Sequence, residues 1–373
     1  MRQGIYKFVI VILIVVLTGC TDRIEIEDAT LILSLGLDLD EKNNLVVYER
    51  SPIFRRGTHG KTDHTGVHAA TVQRSYSNFE ALISTSIYNG KTQLLFIGKR
   101  LLQRKEIFPF LDSLNRDPEN ATNLRVIAVD GPVSEVINME PKDKPRLSIY
   151  IAQLVDTSAL RHLTTKVTLR QFHYMIVEPG ITPIISEIRK DQKELRILGN
   201  ALLDKKGYYC TSLNLRETQL LELLRDTQRT PYEFTFPVRL PGNHSKNKKN
   251  ISISIKPKKL KITTNYHNGV PQFDIDIKLV GNITERTFNM NLDKEANKRI
   301  IETIVEEEMN KQMATLIKKL QRYQVDPIGL GLYVRAYHYN EWKAIEKEWP
   351  KTFAKSTIRF TPHVEIKNIG VLH

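Results

Sequence analysis

Cys20 closes a pattern that can do covalent chemistry. Ten apolar residues run unbroken from Phe8 to Leu17, the small residues Thr18 and Gly19 follow, and the thiol comes next. A thiol in that place can be alkylated, and small residues before it fit a narrow peptidase cleft. The run is too short to cross a hydrocarbon layer of about 30 Å as a helix. Arg2 and Lys7 precede it, so residues 1–19 are expected to be a signal peptide.

Histidine supplies the next candidates. His59, His64 and His68 lie close together with Asp63 among them. Zinc takes three or four ligands at about 2.0–2.1 Å, and no Glu/His pair at helical spacing completes such a set. The segment therefore reads as a solvated loop without metal. Gly60-Lys61-Thr62 and Gly90-Lys91-Thr92 end as a phosphate loop ends, but the glycine needed five residues earlier is Arg55 in one and Thr85 in the other. The serine-hydrolase elbow, the zinc-protease helix motif, paired cysteines and a dinucleotide glycine pattern are missing from the sequence. No carboxylate pair stands out as acid and base. No catalytic residue and no cofactor is expected.

Lysine is concentrated in one place. Lys246, Lys248, Lys249, Lys256, Lys258, Lys259 and Lys261 occur without an acidic neighbour among them. The plain reading is the solvated face of a hairpin; the sharper one is a patch for anionic lipid headgroups or an acidic partner. No aromatic residues interleave to stack bases, which argues against nucleic acid. The whole chain is basic, with a formal net charge of +13, or +11 once Arg2 and Lys7 are gone. With Cys20 alkylated only Cys210 is left, so no intrachain disulfide can form and the cores alone must hold the fold.

These groups need elements to position them. Ala29 to Asp38 reads as a buried strand and Leu45 to Glu49 as its hairpin partner across a polar turn. Arg55 to Gly66 reads as a loop, Val67 to Arg74 as a strand, and Ser77-Asn78-Phe79-Glu80 as the capping box of a helix through Ile87. Strands are expected at Leu94 to Ile97 and Leu124 to Val129, with helices near Ile107 to Leu114 and around Val133 to Ile137. Leu147 to Leu160 and Leu169 to Val177 are spaced as helices. Ile184 to Ile188, Arg196 to Leu203 and Tyr208 to Leu213 follow as strands, and Asn214 with Glu217 caps another helix. Ile251 to Ile262 and Phe273 to Val280 alternate as half-buried antiparallel strands, a long helix spans 293–323, and a last strand carries Ile358 to Ile366. The chain should thus be an α+β protein with largely antiparallel or mixed sheets. Its parts are a leader at 1–19, an N-terminal α/β domain at 20–140, a middle α/β region at 146–225 that is separate or paired with it, and a C-terminal α/β domain at 230–373.

Two resemblances rest on quoted residues. Leu17-Thr18-Gly19-Cys20 resembles the lipobox of bacterial lipoproteins, which implies a diacylglyceryl thioether on Cys20 and cleavage before it. Leu35-Gly36-Leu37-Asp38, Leu95-Phe96-Ile97-Gly98-Lys99, Arg116-Asp117-Pro118-Glu119 and Gly199-Asn200-Ala201-Leu202-Leu203 then follow in order. Val280-Gly281-Asn282-Ile283-Thr284-Glu285, Asp326-Pro327-Ile328-Gly329-Leu330-Gly331 and Trp349 complete the series. This ordered set resembles the Ger(x)C family, the lipoprotein C subunits of spore nutrient germinant receptors; Thr21 stands where such proteins often carry Trp. The resemblance implies a non-enzymatic subunit of elongated α/β domains on the outer leaflet of the spore's inner membrane. It also implies work with a polytopic B subunit of transporter-like type and an A subunit that has large soluble parts. A solute-binding lipoprotein of a transporter is the alternative, though the repeated βαβ order that builds one is not evident.

Overall fold

The computed structural model describes residues 29–53, 62–83, 85–116, 122–141, 143–225, 230–239, 249–267 and 269–368. The first strands are β1 (Ala29–Leu31), β2 (Ser34–Leu39), β3 (Leu45–Pro52) and β4 (Thr62–His68). Helix α1 (Val72–Glu80), β5 (Ser86–Tyr88) and β6 (Leu94–Gly98) come next. Then follow α2 (Lys99–Arg104), α3 (Phe108–Arg116), β7 (Arg125–Val129) and α4 (Val133–Ile137). Two helices, α5 (Leu147–Leu160) and α6 (Leu169–Val177), lead to β8 (Ile184–Asp191), β9 (Glu194–Leu203) and β10 (Tyr209–Leu213).

One eight-stranded sheet takes in strands from both halves of this stretch, in the order β10-β9-β8-β7-β6-β2-β3-β4. Its centre, β2-β6-β7-β8, is parallel, and antiparallel hairpins finish both flanks. Parallel strands must be covered on both faces, and these are. Leu94, Phe96, Ile127 and Val129 pack with α4 and α5, while Leu95, Ile97, Val126 and Ala128 belong to the core on the other face. The middle region therefore pairs with the N-terminal part, through β7 and β8.

Helix α7 (Leu215–Arg225) leads to a second sheet, β11 (Tyr232–Val238), β12 (Lys249–His267), β13 (Val270–Arg286) and β14 (Thr357–Asn368), ordered β11-β12-β13-β14. β12 and β13 are antiparallel, and β14 joins β13 in parallel. That parallel closure needs a long crossover. It is supplied by α8 (Glu295–Arg322), α9 (Leu330–Tyr337), α10 (Tyr339–Ile345) and α11 (Trp349–Lys355). Ile301, Val305, Met309, Met313, Leu316 and Leu320 of α8 lie buried in the core that the inward-facing residues of this sheet share.

The α+β class with mixed sheets is as expected, and several elements differ locally. The Ala29 to Asp38 strand is two, because Ile32 N–H turns to Tyr88 O and Leu33 N–H to Arg50 O. The described part of the Arg55 to Gly66 loop, from Thr62 on, is strand, and the Val67 to Arg74 strand ends at His68. Thr71 then caps α1, its hydroxyl accepting from Arg74 N at 3.1 Å, so Ser77 to Glu80 is the last turn of that helix and not its start. Val72, Ser75 and Phe79 form its buried stripe, and burial on a helical period outweighs the strand preference of Thr71-Val72. The Ile251 to Ile262 alternation is broken by a register shift between Pro257 and Lys259. β11, α2 and α11 had no counterpart in the sequence expectation.

Candidate functional site

In an open sheet with parallel strands, ligands usually sit outside the carboxyl ends of those strands. Here that place is already filled. Asp38 is next to last in β2, and its carboxylate accepts from Leu39 N at 2.8 Å and from Val133 N, at the start of α4, at 2.9 Å. Burial raises the Asp38 pKa, and the two backbone N–H groups pull it part of the way back. Gly98 ends β6 because nothing larger fits: a Cβ there would lie 2.2 Å from Asp38 Oδ1. Lys99, next in the chain, reaches Asp130 at 3.2 Å and Glu187 at 3.1 Å, and stands 4.6 Å from the centre of the Tyr209 ring. Arg189 also binds Asp130, with Nε at 2.9 Å, and Ser212 donates to Glu187. Burial works against charge at Asp130, yet Arg189 and Lys99 hold its pKa below the ordinary value. The charges cancel among themselves.

Two further clusters have the same character. Asn200 on β9 is fully buried and accepts from Thr165 N at 2.8 Å, while its amide donates to Thr165 Oγ1 at 3.0 Å and Thr218 Oγ1 at 3.3 Å. Thr165 in turn donates to Glu222 of α7 at 2.7 Å. At Asp326, also fully buried, the carboxylate collects Gly329 N at 2.9 Å, Gly331 N at 3.0 Å and the Trp349 indole N–H at 3.1 Å. Burial pushes the Asp326 pKa up to about 6 against those hydrogen bonds. Its backbone carbonyl accepts from Thr182 N at 2.9 Å, which ties the turn after α6 to the turn after α8. Gly331 packs on Gly180 so closely that a Cβ would meet Gly180 Cα at 2.7 Å. Arg335 grips Glu178 at 2.7 and 2.9 Å. Lys205 caps the end of α6 by donating to the carbonyls of Met175, Glu178 and Ile181, and burial lowers its pKa to about 8. Most of these contacts join distant parts of the chain, among them Lys99 to Glu187, Asn200 to Thr165, Trp349 to Asp326 and Arg335 to Glu178.

The residues singled out in the sequence fall in three places. Cys20, His59, Lys246 and Lys248 lie outside the described residues. His64 and His68 stand on β4 at the rim of the eight-stranded sheet, where His68 Nε2 is 3.2 Å from Asp40 Oδ2. Asp40 lines an open depression of about 890 Å³, with its carboxylate already engaged by Asn44 N at 2.8 Å. Among the described residues no group of three or more His, Cys, Asp or Glu could hold a metal ion. Cys210 is partly buried, and desolvation pushes its thiol up to about 12, far from a reactive thiolate. The remaining lysines, Lys249, Lys256, Lys258, Lys259 and Lys261, lie on β12, the last four exposed.

Sequence reasoning missed Lys205, Glu302 and Glu306. The two glutamates of α8 accept from Ile366 N and Val364 N, each at 2.8 Å, and so cover the free edge of β14. Their signal was an acidic pair four apart beside the apolar stripe of a helix. Lys205 gave none, since a Lys-Lys-Gly turn is ordinary.

Comparison with known proteins agrees with this picture. Residues 22–190 match the model described as spore germination protein N-terminal domain, and residues 198–370 match spore germination B3/GerAC like, C-terminal. Spore germination protein GerQC of Bacillus cereus is 23% identical, over 96% of this chain and 97% of its own. Spore germination protein B3 of Bacillus subtilis (strain 168) is 22% identical, over 96% of each. The crystal structure of the GerBC protein shares the fold, with a TM-score of 0.57 and 18% identity over 90% of this chain and 97% of that one. With both halves matched in order and the fold shared over 90% of its length, the chain belongs to the Ger(x)C family of spore germination proteins.

Proposed function

We propose that the chain is the lipid-anchored C-type subunit of a spore nutrient germinant receptor, held on the outer face of the spore's inner membrane beside A- and B-type subunits. In this reading it is a scaffold and not a catalyst. The observation that carries the non-catalytic part is the filled strand-end crevice, where Lys99, Asp130, Glu187 and Arg189 pair with one another and backbone N–H groups satisfy Asp38. Membership of the family supports the receptor role, and Leu17 to Cys20 supports the anchor. In this reading a thioether at Cys20 is the attachment, and among the described residues no helix is long and apolar enough to cross a membrane. Tethering confines the domains to a thin layer at the bilayer, where the effective concentration of membrane partners makes weak interfaces sufficient.

The test is Cys20→Ala in sporulating cells, followed by membrane fractionation of spores and measurement of nutrient-triggered germination. The expected outcome is a folded protein that leaves the membrane fraction and a germination response that falls with it. Full membrane retention of the variant through a high-salt wash, which removes electrostatic contacts, would reject the anchor. Stoichiometric binding of an amino acid or sugar by the isolated protein, seen by calorimetry, would favour the solute-binding alternative.

A further inference from the structure

Between Pro257 and Lys259, β12 contains one residue more than the facing stretch of β13; a separate register shift, between Ser252 and Ile253, leaves the extra residue on β13 instead. Ile251, Ile253 and Ile255 face the core at odd positions, whereas Leu260 and Ile262 pack against it at even ones. The change of parity occurs where Pro257 pairs with Leu279 and Lys259 pairs with Lys278, so Lys258 is the extra residue of a bulge. Lys256, Lys258, Lys259 and Lys261 are in consequence all exposed. In strict alternation 256 and 258 would share one face and 259 and 261 the other.

The neighbouring strands extend this face. Lys259 stands opposite Lys278, and Lys278 opposite His363. Like charges directly opposite one another weaken a ladder. The carboxylates nearby offer little relief. Asp274 is taken by Arg359 at 3.2 Å, and Glu306 by Val364 N and Arg299. Asp276 stands in register with Lys261, and Glu365 beside Val280. Among the described residues, no acidic side chain lies within ion-pair distance of Lys256, Lys258, Lys259, Lys261 or Lys278. Between them a recess of about 470 Å³ is lined by Lys258, Lys278, Arg299 and His363, with Glu306 and Glu365 at its wall. That is large enough to admit a phosphate-bearing headgroup.

We propose that this outer face of the second sheet docks on the anionic phosphate headgroups of the membrane that carries the anchor. The choice of a lipid surface rests on the anchored reading above; the affinity does not, because it comes from lysines alone. Each lysine close to an anionic surface adds attraction that falls off within a Debye length of about 8 Å at physiological salt. A lipid anchor fixes one point, and a basic face supplies the second contact that sets how the body lies on the bilayer.

The experiment uses the full chain carrying Cys20→Ala, so that no diacylglyceryl group contributes, and sedimentation with two kinds of vesicle. One is phosphatidylcholine; the other is phosphatidylcholine mixed with phosphatidylglycerol. The retained leader is common to both, so the preference for the second isolates the charge effect. That preference should be clear at low salt and fall as salt rises. Replacing Lys256, Lys259 and Lys278 together by Glu should lower it by about tenfold or more. The same change at Lys294, which precedes α8, and at Lys311 and Lys318 on it, all exposed, should lower it by no more than about threefold, since those charges lie outside the face. The corresponding Lys→Gln triple, which removes charge without reversing it, should fall between. Equal binding to both vesicles, or equal loss in both triples, overturns the proposal. A Cys20 that proves unmodified in cells would reject the anchor and leave this result standing.

Discussion

Asp326 takes three hydrogen bonds while wholly excluded from water, and the balance of those two influences can be measured. Its pKa is about 6 in the folded chain against an ordinary 3.8. The native state therefore holds this proton at a pH where the unfolded chain has lost it. The stability this confers is complete below the unfolded value and is lost as pH rises through the folded one. We expect the difference in unfolding free energy between the wild type and Asp326→Asn to shrink by on the order of 3 kcal/mol from about pH 4 to about pH 7. Urea denaturation across that range checks it, and a difference that is flat or grows would contradict the burial account. The sequence marks Asp326, Gly331 and Trp349 as members of an ordered set but gives them no roles. Their partners are remote: Trp349 from Asp326, Gly180 from Gly331, Glu187 from Lys99. Local periodicity carries no information about such pairings.

At the scale of elements, the bulge in β12 makes the sharpest forecast. If Lys258 is the surplus residue, deleting it leaves Pro257, Leu260 and Ile262 facing inward against the same partners, Leu279, Ile277 and Ile275. Stability should then change by less than about 1 kcal/mol. Deleting Lys278 from the facing strand removes a residue that is not surplus and turns one side of β13 inside out. That should cost more than about 3 kcal/mol. Thermal melts of the two deletions decide it, and comparable losses would mean the bulge is misplaced. The parity change was legible in principle, from Ile251, Ile253, Ile255 and then Leu260, Ile262, but continuous alternation conceals it. Helices with an uninterrupted stripe read true. α5 and α6 run from Leu147 to Leu160 and from Leu169 to Val177 as expected, and Thr168 with Gln171 forms a reciprocal cap on the second.

The whole molecule is more continuous than its two family models suggest. The models end at residue 190 and begin again at 198, which falls inside the β8–β9 hairpin. Both strands belong to one sheet, and Ile184 to Asp191 lies register by register against Glu194 to Leu202. One core then runs from Leu35 in β2 to Ile366 in β14, crossing the joint through Ile181, Ile328 and Leu330. A fragment ending at Gln192 would expose the buried edge of β8 and strip Glu187 of Ser212. We expect residues 20–192, expressed alone, to be insoluble or unfolded by circular dichroism and proteolysis, and the full mature chain to unfold in one transition. A folded, monomeric fragment would show that the halves are independent.

What the sequence determined by itself is what depends on near neighbours. The apolar run before Cys20, the helical stripes of 147–160 and 301–320, the alternation of β13 and the surplus of lysine all come from residues within a few turns of one another. The tertiary structure decided which strands lie side by side, that the strand-end crevice is closed by compensated charges, and that a bulge leaves Lys256, Lys258, Lys259 and Lys261 of β12 all exposed. Those outcomes depend on contacts across long stretches of chain, where packing and the desolvation of buried charge choose among pairings that local preference leaves equal.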